Sequence, residues 1–308
     1  MRIAFLGTPD FALPSLNMLL AGGHELGVFT QPDKPVGRRS VLSAPPVKAA
    51  TLAHGLPVWQ FEKIRSAEGV KALRDFAPEL MVTVAFGQLL SAENLAIPQH
   101  GCVNVHASLL PKYRGAAPIQ WAVINGERVT GVTTMMTDVG LDTGDILLAR
   151  ETEIGPNETA GELFARLADI GAEVLRDTVR AIENGTLVRE KQNEALATKC
   201  SIIKKEHGHI AFANGAKRAH DLVRGTDPWP GAYALVEGET LKIWKTRRTS
   251  LPGEGKIGLC AVASPREGLF VDCGDELLEI MELQFPGAKR MDAKTALRGR
   301  ALLGKVLL

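Results

Sequence analysis

Asn104 and His106 close the short apolar run Gly101-Cys102-Val103-Asn104-Val105-His106. The small and β-branched residues of that run, with Gly and Pro on its flanks, predict a buried strand. Alternate residues of a strand share a face, so the amide and the imidazole point the same way. An asparagine amide donates hydrogen bonds and never titrates, whereas a histidine donates a proton or, when charged, a hydrogen bond. Together they can stabilise an oxyanion forming on an attacked carbonyl. An attacking amine must also lose a proton, which a nearby carboxylate can accept. Asp142, in Leu141-Asp142-Thr143-Gly144-Asp145, is the candidate. Acyl transfer to an amine, with no covalent enzyme intermediate, is the chemistry that fits. Spacing alone leaves a plainer reading open: Asn-x-His as a hydrogen-bonded structural pair, and LDTGD as a turn.

Such residues need a frame. Residues 2–7, 26–30, 80–86 and 102–106 are apolar strand candidates, and 14–21, 47–54 and 66–76 carry helical spacing between them. That alternation predicts a parallel sheet covered by helices, with ligand chemistry at the strands' C-terminal ends. Gly7-Thr8-Pro9-Asp10 follows the first strand without a G-x-G-x-x-G, so a dinucleotide site is unsupported. Residues 129–137 and 145–151 read as paired strands around the LDTG turn. Residues 158–183 read as a long amphipathic helix with Asn157 as its N-cap and Asn184-Gly185 as its end. The polar stretch 186–206 reads as a linker. Beyond it, 216–225 looks helical, and 232–237, 240–247, 258–263, 268–273 and 276–284 are short strand candidates separated by turns, as in a small β-barrel.

A chain of 308 residues favours two domains. Its 45% hydrophobic and 23% charged content is that of a soluble globular protein. The start, MRIAFLGTPDF, lacks a signal peptide's apolar core and cleavage site, and no apolar run reaches bilayer-spanning length. Cys102, Cys200, Cys260 and Cys273 are dispersed with no metal-type spacing, and nothing completes a metal site around His207 and His209. A cytoplasmic protein with reduced thiols and no metal is therefore expected. The net charge of +1 is unevenly divided: Lys+Arg outnumber Asp+Glu 20 to 15 from Thr186 onward but trail 16 to 20 before it. That asymmetry permits a polyanionic partner on the C-terminal half without demanding one.

The segment NVHASLLPKYRGAAPIQ, from Asn104 to Gln120, resembles the signature of the folate-dependent formyltransferases. Thr130-Gly131-Val132-Thr133 and the run from Met136 to Asp145 strengthen the likeness. QPDKPVGR from Gln31 and DPWPGAY from Asp227 narrow it, within that superfamily, to the methionyl-tRNA formyltransferase family. The resemblance implies a Rossmann-like α/β formyltransferase domain followed by a smaller OB-like β-barrel domain. The divisions are 1–185, a linker at 186–206, and a tRNA-binding 207–308. It implies transfer of the formyl group of 10-formyltetrahydrofolate to the α-amino group of initiator methionyl-tRNA, by a monomer. Asn104 and His106 would polarise the formyl carbonyl and hold the oxyanion, while Asp142 orients His106 and helps remove the amine proton. A carboxylate beside an imidazole favours its charged form and couples the two titrations.

The folate pocket would be drawn from Phe86, Gly87, Gln88, Leu89, Leu90, Ser108, Leu109, Leu110, Pro111 and Val139. Phe86, Leu89 and Leu90 are equally good core residues. The Pro/Gly/Lys/Arg-rich segment 31–48 resembles the family's tRNA-sensing loop, with Lys34, Arg38 and Arg39 as contacts. Lys242, Lys245, Arg247 and Arg248 would meet phosphates on the second domain, supplemented by Lys289, Arg290, Arg298 and Arg300. Trp229 and Tyr233 could stack on a base or pack within the PWPGAY corner. Three rivals share parts of this pattern: a formyltransferase acting on a glycinamide ribonucleotide or amino-sugar nucleotide, a formyl-folate hydrolase, and an RNA-binding protein with a retired catalytic fold. The tRNA-type loop and the PWPGAY-containing basic second domain count against the first. A tail unlike the small regulatory amino-acid-binding domain expected of the second counts against it, and the intact Asn/His/Asp set counts against the third.

Overall fold

The computed structural model describes residues 1–36 and 40–308 and gathers the chain into two compact units. The first comprises Met1–Gly115, Thr130–Thr152 and Phe164–Lys199, and the second Ala116–Val129, Glu153–Leu163 and Cys200–Leu308. In chain order the elements are β1 (Arg2–Gly7), α1 (Leu13–Ala21), β2 (Glu25–Thr30), β3 (Lys34–Val36), β4 (Val41–Ser43), α2 (Pro46–Ala53), β5 (Val58–Gln60), α3 (Ala67–Phe76), β6 (Leu80–Val84), α4 (Ala92–Leu95) and β7 (Cys102–His106). There follow β8 (Arg114–Gly115), α5 (Pro118–Ile124), β9 (Val129–Met136), β10 (Ile146–Glu153), α6 (Ala160–Glu183), β11 (Lys199–Cys200) and α7 (Ala216–Gly225). The chain ends with β12 (Ala232–Val236), β13 (Glu239–Pro252), β14 (Cys260–Ser264), β15 (Gly268–Asp272), β16 (Glu276–Gln284), β17 (Met291–Asp292) and α8 (Ala293–Ala296).

The first unit is built on a seven-stranded sheet in the order β10-β9-β7-β6-β1-β2-β5. From β5 to β7 all neighbours are parallel, as the strand–helix alternation predicts. β9 then runs antiparallel to β7, so the sheet is mixed. An antiparallel edge on a parallel sheet is common, and here it seats the LDTGD turn between β9 and β10. The central strands are buried on both faces, which is why β1, β2 and β6 read as nearly unbroken apolar runs. On one face Ala4, Leu6, Phe29, Met81, Phe86 and Cys102 pack with Ile64 and Leu73.

One expected helix start moves. The N-cap of α6 is Thr159 rather than Asn157: Thr159 Oγ1 accepts from Glu162 N–H at 3.2 Å, and Glu162 Oε2 accepts from Thr159 N–H at 2.8 Å. This reciprocal capping box satisfies two donors at once, which a lone Asn two residues earlier does not.

The second unit carries an antiparallel sheet in the order β12-β13-β16-β15-β14, with β17 on β16. Its core holds Val223 of α7 with Leu241, Ile243, Leu269, Val271, Leu278, Ile280 and Leu283. The C-terminal tail joins the two outer strands. Leu308 and Leu235 of β12 exchange both backbone hydrogen bonds, at 2.6 and 2.8 Å, while Cys260 N–H of β14 donates to Lys305 O at 2.8 Å and Leu307 N–H to Gly258 O at 2.8 Å. The tail thus satisfies groups that two open sheet edges would leave exposed, in keeping with the expected barrel-like second domain.

Candidate active site

β7 brings Asn104 and His106 to one face at its C-terminal end. Asn104 pairs in register with Thr83 of β6, and Thr83 Oγ1 donates to Asn104 Oδ1 at 2.9 Å. That bond fixes the amide's orientation: its oxygen is held by the sheet and its NH2 is left to donate. Among the described residues Nδ2 has no hydrogen-bond partner, so the amide keeps its donors for a ligand.

His106 is buried, and its ring is held from both sides. Nε2 lies 2.9 Å from the Tyr113 carbonyl, which can only accept, so Nε2 carries a proton. Nδ1 lies 3.7 Å from Asp142 Oδ2. That is beyond a hydrogen bond but close enough to feel the carboxylate's charge. The same oxygen is anchored, because Gly115 N–H donates to Asp142 Oδ2 at 2.8 Å. Tyr113 and Asp142 both adopt left-handed backbone, φ +59° and +53°. Such conformations in non-glycine residues persist only where surrounding contacts enforce them, and here they flank the imidazole.

Close backbone approach holds the carboxylate's turn. A Cβ on Gly144 would meet the Met136 carbonyl oxygen at 1.7 Å, so only glycine lets the turn lie against β9. Beside it Asp138 accepts from Gly140 N–H and from the Thr143 hydroxyl, closing an Asx-type turn.

The residues expected around a folate divide into two kinds. Leu89 and Val139 are exposed, 69% and 78%, as is Leu141. Phe86 and Leu90 pack into the core instead. The Phe86 carbonyl already accepts from Thr8 Oγ1 and Gln31 Nε2, and the Gln88 amide is spent on Ile64 N–H and the Phe61 carbonyl. Gly87 has φ +76°, and a Cβ there would meet Gln31 Nε2 at 2.3 Å. Ser108 and Leu110 are tied by Thr133, whose hydroxyl donates to the Ser108 carbonyl and accepts from Leu110 N–H. Leu109 and Pro111 are half-buried beside them.

Comparison with known proteins establishes the kinship of the chain. Residues 1–179 match the family described as formyl transferase, and residues 202–301 match the one described as formyl transferase, C-terminal domain. The methionyl-tRNA formyltransferase of Ruminiclostridium cellulolyticum is 48% identical over 98% of this chain and 97% of its own length. That of Geobacter metallireducens is 48% identical over 97% and 96%. The chain belongs to the methionyl-tRNA formyltransferase family.

Solved structures agree at the level of the fold. An N-formyltransferase of Helicobacter canadensis, in complex with folinic acid and dTDP-3-aminofucose, superposes with a TM-score of 0.71 at 20% identity, over 94% of this chain and all of that one. HypX of Aquifex aeolicus, in complex with tetrahydrofolic acid, gives 0.64 at 17% identity over 96% of this chain and 47% of its own.

The basic residues expected on RNA are less free than their count suggests. In the first unit Lys34 is exposed and donates to Gln31 Oε1 at 2.6 Å, while Arg38 and Arg39 lie outside the described residues. In the second, Lys242 donates to the Pro230 carbonyl and sits 5.0 Å over the Trp244 ring. Arg247 is paired with Glu279 at 2.6 Å and Arg248 with Glu276. Lys245 is exposed. Arg290 is paired with Glu282 and Asp227, whereas Trp229 is half exposed. The sequence reading missed Thr83 and the Tyr113 carbonyl, which aim Asn104 and His106; only strand register and loop path bring them there.

Proposed function

We propose that this formyltransferase moves the formyl group of 10-formyltetrahydrofolate to the α-amino group of methionyl initiator tRNA. The observation that carries the reading is the Asn104 amide: held by Thr83 through its oxygen, it keeps its donors free on the same face as the His106–Asp142 pair. The co-substrate supplies an activated formyl group. Asn104 Nδ2 and a protonated His106 Nδ1 donate to the carbonyl oxygen as negative charge develops on it. Asp142 faces the same ring nitrogen and accepts the proton that the amine must lose, directly or through water. Collapse of the tetrahedral intermediate then breaks the bond from the formyl carbon to the folate nitrogen, which takes up a proton and leaves as tetrahydrofolate. No serine or cysteine nucleophile is required, because the amine itself attacks.

The residues fit a pterin-bearing donor. Exposed Leu89, Val139 and Leu141 supply apolar walls, and the lack of a side chain at Gly87 lets the Gln31 amide pack against it. Phe86, Gln88 and Leu90 shape the pocket from behind, and the Ser108–Pro111 segment borders it. For the tRNA we assign Lys34, Arg38, Arg39, Lys242 and Lys245 as direct contacts. Arg247 and Arg248 would have to exchange Glu279 and Glu276 for phosphate. The same reading takes 1–185 as the catalytic domain, 186–206 as a linker and 207–308 as the tRNA-binding domain, in a cytoplasmic monomer. No helix among the described residues is long and apolar enough to cross a membrane.

The test is formyl transfer from 10-formyltetrahydrofolate to initiator and elongator methionyl-tRNA, with a no-tRNA control. Selective formylation of the initiator is expected. His106→Ala should abolish turnover while tRNA binding persists. Turnover of the folate without tRNA, or on a small amine alone, would move the protein to another acceptor.

A further inference from the structure

The stretch 186–206 has a linker's composition, yet part of it is built into the candidate active site of the first unit. Glu190 and Ile146 exchange both backbone hydrogen bonds, at 2.8 and 2.9 Å, docking the segment on β10. Two residues on, the Gln192 side chain turns inward. Its Nε2 donates to the Asp142 carbonyl at 2.8 Å and to the Gly144 carbonyl at 2.7 Å, spanning the turn that carries the candidate proton acceptor. Its Oε1 accepts from Arg114 Nε and Nη2, at 3.0 and 2.8 Å. The Arg114 side chain is almost wholly buried and is itself fixed by Glu194, which accepts from Nη1 and Nη2 at 2.9 and 2.7 Å. Both ends of one amide are thus satisfied, so its orientation is unambiguous: oxygen to the guanidinium, nitrogen to the turn.

Asp142 needs such support. Its left-handed backbone is unfavourable for a residue with a Cβ, and its carbonyl and that of Gly144 would otherwise be free to swing. The Gly115 N–H holds the carboxylate, and the Gln192 amide holds the backbone that presents it. Gln192 itself lies among exposed neighbours, and its hydrogen bonds are all spent inside this network.

We propose that Gln192, backed by Arg114 and Glu194, is a positioning residue for Asp142, so that the segment leaving the catalytic unit sets the rate of the chemical step. The inference rests on the reading of Asp142 as the proton-handling carboxylate. With its side-chain amide engaged by Arg114 and by the Asp142 and Gly144 carbonyls, Gln192 would act through the turn.

A double-mutant cycle in the full chain tests it, with Gln192→Ala, Asp142→Asn and the pair together, each assayed for kcat and for KM toward both substrates. Gln192→Ala is expected to lower kcat about 10- to 100-fold, the scale of a reacting group misplaced by about 1 Å. KM for Met-tRNA should stay within about threefold, because uniform binding is untouched. In the Asp142→Asn background the same change should cost less than about threefold, since coupled residues are non-additive. Gln192→Glu keeps an acceptor for Arg114 but sets oxygen against the two turn carbonyls. It should lose at least as much kcat as Gln192→Ala, and it reads the donation alone if the alanine variant folds poorly. Undiminished kcat in Gln192→Glu, or losses that multiply in the double variant, would overturn the proposal while leaving Asp142's role intact. Undiminished kcat in Asp142→Asn would instead remove the reading on which the proposal stands, and the proposal with it.

Discussion

Gly144→Ala probes the site through backbone geometry alone. The added methyl would meet the Met136 carbonyl oxygen at 1.7 Å and its carbon at 2.9 Å, both backbone atoms of β9. Real Cβ atoms essentially never come within 3.0 Å of such a neighbour, so turn and strand must separate by about 1.3 Å. Asp142 is two residues away, and its carboxylate sits 3.7 Å from His106 Nδ1. A displacement of that size lowers kcat by about 100-fold, equivalent to about 2.7 kcal/mol of transition-state stabilisation. Overpacking of this kind destabilises by about 1–3 kcal/mol, within what a folded domain tolerates, so the variant remains folded. Gly140→Ala is the comparison: its methyl would meet the Thr143 hydroxyl at 2.0 Å, and turning that side chain away costs its hydrogen bond to Asp138 without forcing the turn off β9. The assay is single-turnover formyl transfer on both variants beside thermal unfolding. A folded Gly144→Ala protein with kcat within about threefold of the parent would refute the argument that the turn must lie against β9 to present Asp142.

Two further outcomes concern the second unit. His220 is held in its neutral form below the ordinary histidine pKa, chiefly by burial and further by Arg224 and Arg248, against the pull of the Pro156 carbonyl and Asp221. The unfolded chain takes up this proton first as pH falls below about 6.5, so the contribution is complete above that pH and is lost on acidification. Denaturant midpoints should drop between pH 7 and pH 5, and His220→Gln should flatten that slope; an unchanged slope would assign the acid sensitivity elsewhere. Deleting residues 305–308 removes the strand-joining hydrogen bonds and buried Leu307, and should destabilise by at least the about 2–5 kcal/mol of a lost core leucine, read by urea unfolding.

Much of this protein is legible before any coordinates. Periodicity over a few residues places β1, β2, β6, β7, α3 and α7 because burial of one stripe or both faces writes itself into neighbouring positions. The two-residue step from Asn104 to His106 puts both on one face for the same local reason. What the sequence alone could not decide depends on register and on residues far apart in the chain. Thr83 aims the Asn104 amide only because β6 and β7 pair in one register. Arg247 stands opposite Glu279 across β13 and β16, so a residue counted as free for phosphate is already neutralised. A stretch whose composition is that of a linker places Gln192 across the Asp142 turn, 48 and 50 residues away in sequence from its acceptors. Local patterns carry burial; hydrogen-bond partners across the fold are chosen by chain path, which only the tertiary structure settles.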